Sequence, residues 1–203
     1  FNLPIIPVVK PVTGVVQENP EYRKSIVAIL YNPRTDKYLS INWGKDGGNI
    51  FIGGGQEEGE DITSTAIREI REETGYKNVK HIATTPTDIE HHYFAHSKGV
   101  ARKIDCPGLL FELEDDEQLK QSLEDDEKGK FAIEWLTADE VQEVIKDELH
   151  RTCFEQLVLG KVFTAEGLLV NSGQFSGTSA SEARESITAH LAKENLGQEK
   201  VNY

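Results

Sequence analysis

Apolar and polar positions fall into blocks along this chain, and the period of each block predicts its structure. Residues 24–31 (KSIVAILY) are rich in branched side chains and predict a strand. Residues 32–36 (NPRTD) carry turn chemistry, and residues 37–43 return as a second strand, so the pair predicts a hairpin. A loop over 44–48 leads to a short strand over 49–52. The period then changes: Ile62, Ala66, Ile67 and Ile70 recur at helical spacing. Asp61 or Thr63 can cap that helix, and Gly75 stands where it would stop. Residues 79–84, 87–94, 101–104 and 109–113 predict further strands of a meander, with a turn over 96–99. Residues 115–130 read as a long acidic loop and 131–136 (FAIEWL) as a strand. Thr137 and Glu140 form a capping box for a helix over 138–146, and 147–159 continues as a second helical stretch. Residues 1–11 are a proline-punctuated apolar segment, and 12–21 read as a connector. Hairpins, one central helix and C-terminal helices predict an α+β sandwich.

The pattern changes again near residue 161. A hairpin is predicted over 162–170 around Ala165-Glu166-Gly167, then a loop over 171–177. Ser179 to Glu182 is a capping box, behind which Ala183, Ile187 and Leu191 form a narrow apolar stripe that ends before Gly197.

Composition narrows the function classes. At 203 residues the chain suits one or two domains with a sizeable core. A net charge of −13 gives no electrostatic help in binding nucleic acid unaided. No apolar run approaches the roughly 20 residues that span a membrane, and the start lacks the basic region of a signal peptide, so a cytoplasmic location is expected. Cys106 and Cys153 stand far apart without a CxxC and read as reduced thiols. The chain begins at Phe1 and contains no methionine, which is expected of a piece of a longer polypeptide.

The densest chemistry lies between Gly53 and Tyr76. A glycine-rich loop leads into a helix carrying Arg68, Glu69, Glu72 and Glu73. The three glutamates are spaced i, i+3, i+4 and share a helix face, where like charges repel by a few tenths of a kcal/mol per pair, roughly. A hard divalent cation would turn that repulsion into binding, and carboxylate oxygens suit Mg2+ or Mn2+. Arg68 lies one turn before Glu72 and can hold it in place. Glycines let backbone approach a metal or a diphosphate closely. A solvated acidic face behind a turn is the plainer alternative, and the register of the glycines, Glu60 and Arg68 argues against it.

From Gly54 to Tyr76 the chain fits G-x5-E-x7-R-E-U-x-E-E-x-G-U without a gap. This resembles the Nudix box of hydrolases that cleave a nucleoside diphosphate linked to another group. The resemblance covers about residues 23–160 and implies an α/β/α sandwich with a mixed sheet. It implies metal ligation by Glu69, Glu72 and Glu73, and orientation of a carboxylate by Arg68. Gly54 would supply close backbone contacts, and Glu60 would support the metal through water. Glu69 or a loop acid would serve as base. Glu127 stands nearest to the place of an extra glutamate in relatives, with Glu124, Asp125 and Asp126 as rivals. His91, His92 and His96 do not suit a zinc site at their spacing. They read as hairpin residues, with substrate contact as the alternative, and Tyr93 and Phe94 could stack on a base.

The flanks carry a second resemblance. GLLVNSGQFSG, SEARESITAHLAKENLG and KVNY at the end, with FNLPIIPVV at the start, are similar to the editing-domain region of bacterial-type leucyl-tRNA synthetases. That implies flanking segments 1–17 and 161–203, forming a small α+β lobe, around a Nudix-like domain at 18–160. The implied partners are a nucleoside diphosphate-type small molecule, the rest of the synthetase chain and, through it, tRNA, with no membrane. A binding or spacing module without catalysis, and a free-standing Nudix hydrolase, are the competing expectations.

Overall fold

The computed structural model describes residues 10–45, 47–96, 98–123 and 129–161. The predicted hairpin, capping box and stripe beyond residue 161, the lobe they would form, and most of the N-terminal flank lie outside the described residues.

The longest strand is β2 (Glu21–Asn32), and the sheet is built on it. Its apolar run is buried on both faces, as expected of a strand covered by layers on either side. Ile26, Ala28 and Leu30 belong to one core with Ala66 and Ile70 of α1 (Ile62–Thr74). Val27 and Ile29 face the other way, into a core shared with Leu149, Phe154 and Leu157 of α3 (Glu148–Leu157) and Val141 of α2 (Ala138–Val144). The architecture is therefore the expected α+β sandwich, a mixed sheet between helical layers.

Different parts of β2 serve different neighbours. Glu21–Lys24 pairs in parallel with β8 (Val100–Cys106), and Val27–Tyr31 pairs in parallel with β9 (Gly108–Leu113). Pro107 alone separates β8 from β9, and its carbonyl accepts the Val27 N–H at 3.1 Å. On the opposite edge, β2 pairs antiparallel with β3 (Lys37–Asn42) and β5 (Ile52–Gly55). β10 (Ala132–Leu136) and β4 (Asn49–Ile50) join β3, and β6 (Val79–Thr84) joins β9. β7 (Ile89–Ala95) pairs with β8.

Two expectations are corrected. Part of the 12–21 connector is a strand, β1 (Val12–Gly14), laid parallel on β7. Its partner lies almost 80 residues away, so no local pattern marks it. The glycine-rich loop is largely strand: Gly53, Gly54 and Gly55 pair with Val27, Ile26 and Ser25. The caps follow expectation. Asp61, not Thr63, caps α1 by accepting the Ser64 N–H at 2.8 Å, and Thr137 with Glu140 forms the capping box of α2. Cys106 and Cys153 are both free and buried, and burial pushes both thiols up. Among the described residues no helix is long and apolar enough to cross a membrane.

Candidate active site

The site forms where β5 runs through a tight turn into α1. Antiparallel pairing fixes β5 on β2, and Ser25 Oγ donates to the Gly54 carbonyl at 2.6 Å. Helix α1 packs Ala66 and Ile70 inward, which turns its Arg68, Glu69 and Glu72 toward the glycine strand. Gly54 is required for space. A Cβ there would lie 2.0 Å from Cδ and Oε1 of Glu69. The glycine and the glutamate therefore occupy one volume between strand and helix.

Arg68 is the centre of the electrostatics. Its Nε donates to Glu60 Oε1 at 2.8 Å and its Nη2 to Glu60 Oε2 at 3.1 Å, a two-pronged contact. Nη1 donates to Glu69 Oε1 at 2.7 Å and to Glu72 Oε2 at 3.2 Å, and Nη2 also reaches the Gly55 carbonyl at 3.0 Å. Glu60 is further held by the Glu57 N–H and the Thr65 hydroxyl. The guanidinium, then the Glu57 N–H, hold the Glu60 carboxyl down at about 2. The same carboxylate raises Arg68 above its ordinary value.

Glu69, Glu72, Glu73, Gly54 and Arg68 line one cleft of about 570 Å3, with Ser122 and Leu123 on its rim. The acidic loop docks there: the Ser122 N–H donates to the Glu72 carbonyl at 3.0 Å and the Leu119 N–H to the Gly75 carbonyl at 2.8 Å. Glu127 and its rivals follow directly but lie outside the described residues. Glu60 anchors Arg68 through both of its carboxylate oxygens.

One guanidinium faces three carboxylates, Glu60, Glu69 and Glu72, which leaves surplus negative charge beside the Gly54 cradle. That surplus and the all-oxygen chemistry fit a hard cation. Glu69 and Glu72 each give one oxygen to Arg68. Among the described residues no group of three or more His, Cys, Asp or Glu side chains is gathered tightly enough to hold a metal by itself.

A second cavity, of about 330 Å3, adjoins the glycine strand on its other side, and Arg23, Gly53, Gly54 and Gly55 line both. Here sequence reasoning missed Arg23, Arg102, Asp147 and His150. The three histidines of the 91–96 segment do not come together. His91 lines this pocket, His92 is buried with Nε2 2.8 Å from Glu90, and His96 is exposed against Phe94. Strand alternation gives the reason, and it was the available signal: His91 and Tyr93 share one face of β7, while His92 takes the other. His150 is buried, and desolvation lowers it to about 4. Its Nδ1 accepts the Phe51 N–H at 3.1 Å, so the neutral ring carries its proton on Nε2.

The carboxylate helix behind a glycine strand, in a mixed sheet between helices, is that of one family: the chain belongs to the NUDIX domain family, whose model matches residues 21–157. Among solved structures it is similar to a NUDIX hydrolase from Nitrosomonas europaea, with 20% identity, 76% of this chain and 100% of that one covered, and a TM-score of 0.49. It is also similar to the E. coli dihydroneopterin triphosphate pyrophosphohydrolase, with 21% identity, 68% and 98% coverage, and a TM-score of 0.49. The curated relatives it matches are leucine–tRNA ligases, of which the chain spans only a small part. The chain is 47% identical over 45 residues to the leucine–tRNA ligase of Geotalea uraniireducens, a match to 22% of this chain and only 6% of that one.

Proposed function

We propose that this domain hydrolyses a nucleoside diphosphate-linked compound with the help of a divalent cation, Mg2+ or Mn2+. Glu69, Glu72 and Glu73 would hold the cation. When bound there, it supplies a lowered pKa for an attacking water and charge neutralisation on the diphosphate. The chain's own residues do the rest. Glu60 locks Arg68, and Arg68 in turn fixes Glu69 and Glu72 against the glycine strand. Gly54 leaves the space in which Glu69 sits. Glu69, or Glu127 from the acidic loop, accepts the proton of the attacking water as the bond to the bridging oxygen breaks. The observation that carries this reading is the shared Gly54–Glu69 volume beside an arginine that aligns two carboxylates on one cleft. The test is cation-dependent release of phosphate or nucleotide across a panel of nucleoside diphosphate compounds. Glu72→Gln and Glu73→Gln should each lower turnover by at least the roughly 10–100-fold that loss of a metal site's supporting partner costs. No turnover on any member of the panel, or variants as fast as the parent, would leave a non-catalytic binding module.

We further propose that the domain is carried within a leucyl-tRNA synthetase, inserted in its editing-domain region. Two observations support this. A 45-residue stretch of the chain is 47% identical to a leucine–tRNA ligase. The family match leaves residues 1–20 and 158–203 outside it. Sequencing the surrounding reading frame decides it. Ligase sequence on both sides supports insertion, and a frame of this length alone supports the free-standing hydrolase. The contribution of tRNA and of the remaining synthetase rests on that result.

A further inference from the structure

Helix α1 carries carboxylates at the end least suited to them. Glu72 and Glu73 stand in its last turn, where the carbonyl end of a helix is already negative, with Arg71 as the basic residue there. A helix also leaves its last carbonyls without partners of its own. The Gly75 N–H closes on the Arg71 carbonyl at 2.9 Å, and the next N–H, of Tyr76, goes to the Thr74 hydroxyl at 3.2 Å. The carbonyls of Glu72, Glu73, Thr74 and Gly75 are thus left to donors from elsewhere.

Residues 118–122, distant in sequence, serve every one of them. The Ser122 N–H donates to the Glu72 carbonyl at 3.0 Å and the Leu119 N–H to the Gly75 carbonyl at 2.8 Å. The Gln121 side-chain amide donates to the Glu73 carbonyl, and Gln118 Nε2 to the Thr74 carbonyl at 3.1 Å. Tyr76 and Gln118 also form an isolated antiparallel bridge. The segment seats directly on the helix end: a Cβ at Gly75 would lie 2.3 Å from the Leu119 carbonyl oxygen. From there it runs on to the cleft rim at Ser122 and Leu123. The type of side-chain donor matters. A lysine reaching these carbonyls would bring a cation beside Glu72 and Glu73. A glutamine amide satisfies a carbonyl and adds no charge.

We propose that residues 118–122 brace the last turn of α1, and that Gln118 and Gln121 are positioning residues for a divalent cation at Glu69, Glu72 and Glu73. They fix the backbone from which Glu72 and Glu73 project, and they do so without competing for the carboxylates. The inference rests on the proposed cation-dependent reading, which names the ligands but gives this segment no role.

Mn2+ binding to the whole chain, measured by calorimetry without substrate, tests the brace without turnover. Gln118→Met and Gln121→Met together keep side-chain length and remove both amide donors. The double variant should bind Mn2+ about tenfold more weakly, the lower end of what loss of a metal site's supporting partners costs. Amide hydrogen exchange should quicken in the last turn of α1 and stay at the parent rate in α3. Gln142→Met is the control. It removes the same kind of contact from α2, where Gln142 Nε2 donates to the Ala138 carbonyl at 3.2 Å, and should leave Mn2+ affinity unchanged. Binding is read where thermal melts show each variant folded, and the two single variants repeat it should the double variant unfold. Parent-like Mn2+ affinity, parent-like exchange in the last turn of α1, or an equal loss in Gln142→Met overturns the proposal and leaves the hydrolase reading standing. Mn2+ binding that follows the expected pattern in a protein without turnover refutes only the catalytic reading. A parent chain that binds no Mn2+ overturns both.

Discussion

Gly54→Ala is the sharpest test of how the cleft is built. The added Cβ would stand 2.0 Å from Cδ and Oε1 of Glu69 and 2.5 Å from its Cγ. No rotation of the methyl relieves this, so either Glu69 leaves or β5 lifts from β2. If Glu69 leaves, its 2.7 Å contact with Arg68 is lost. A hydrogen bond to a charged group contributes about 1.5–3 kcal/mol. For a domain of this size each kcal/mol moves the melting temperature by about 2–4 °C, so a drop of about 3–12 °C follows. Gly53→Ala is the internal control. Its Cβ would meet only His150 Cε1 and the Ile26 carbonyl, both at 3.7 Å, which is ordinary contact. That variant should melt within a degree or two of the parent, in keeping with the ±0.5 kcal/mol or so of an uneventful substitution. Thermal unfolding by circular dichroism, with turnover on the same samples, reads both. A Gly54→Ala protein as stable and active as the parent, or Gly53→Ala equally damaged, would show that the glycines are not there for Glu69.

Two further outcomes follow from the same network. Arg68→Lys keeps the charge but not the fork that reaches Glu60, Glu69, Glu72 and the Gly55 carbonyl together. It should cost about 2 kcal/mol in urea unfolding, and parent-like stability would mean the fork is not needed. Glu60, held at about 2 against an ordinary 4.5, is depressed in the folded state, so the stability it contributes is present above about pH 4.5 and is lost as pH falls toward 2. Unfolding free energy measured across that window should fall less steeply in Glu60→Gln than in the parent, and identical acid limbs would refute the assignment.

Much of the carboxylate cleft was legible because its parts are local. The i, i+4 pair Arg68 and Glu72 follows from helix geometry, and the 3.2 Å contact is found. The Glu60 contact to Arg68 could not be read the same way, because it depends on how the turn between β5 and α1 folds back. The strand character of Gly53–Gly55 was hidden by glycine's poor strand propensity and is imposed by pairing with β2. The second pocket was illegible for a stronger reason. Arg23, His91, Arg102 and His150 meet only through strand registers and a helix contact spanning the whole domain. Alternation places His91 and Tyr93 together, but no pattern in one strand says which strand will lie beside it.

The split pairing of β2 has an evolutionary consequence. Strands β1, β7 and β8 hang on its first four residues, while the core beneath α1 is built on its later ones. Side chains on the outer strands can change without disturbing Ala66, Ile70 or the helix that carries Glu69 and Glu72. Selection can therefore redraw one half of the molecule while the other stays fixed. Pro107, the one residue between β8 and β9, is the seam along which descendants of this fold can diverge while keeping the same carboxylate helix.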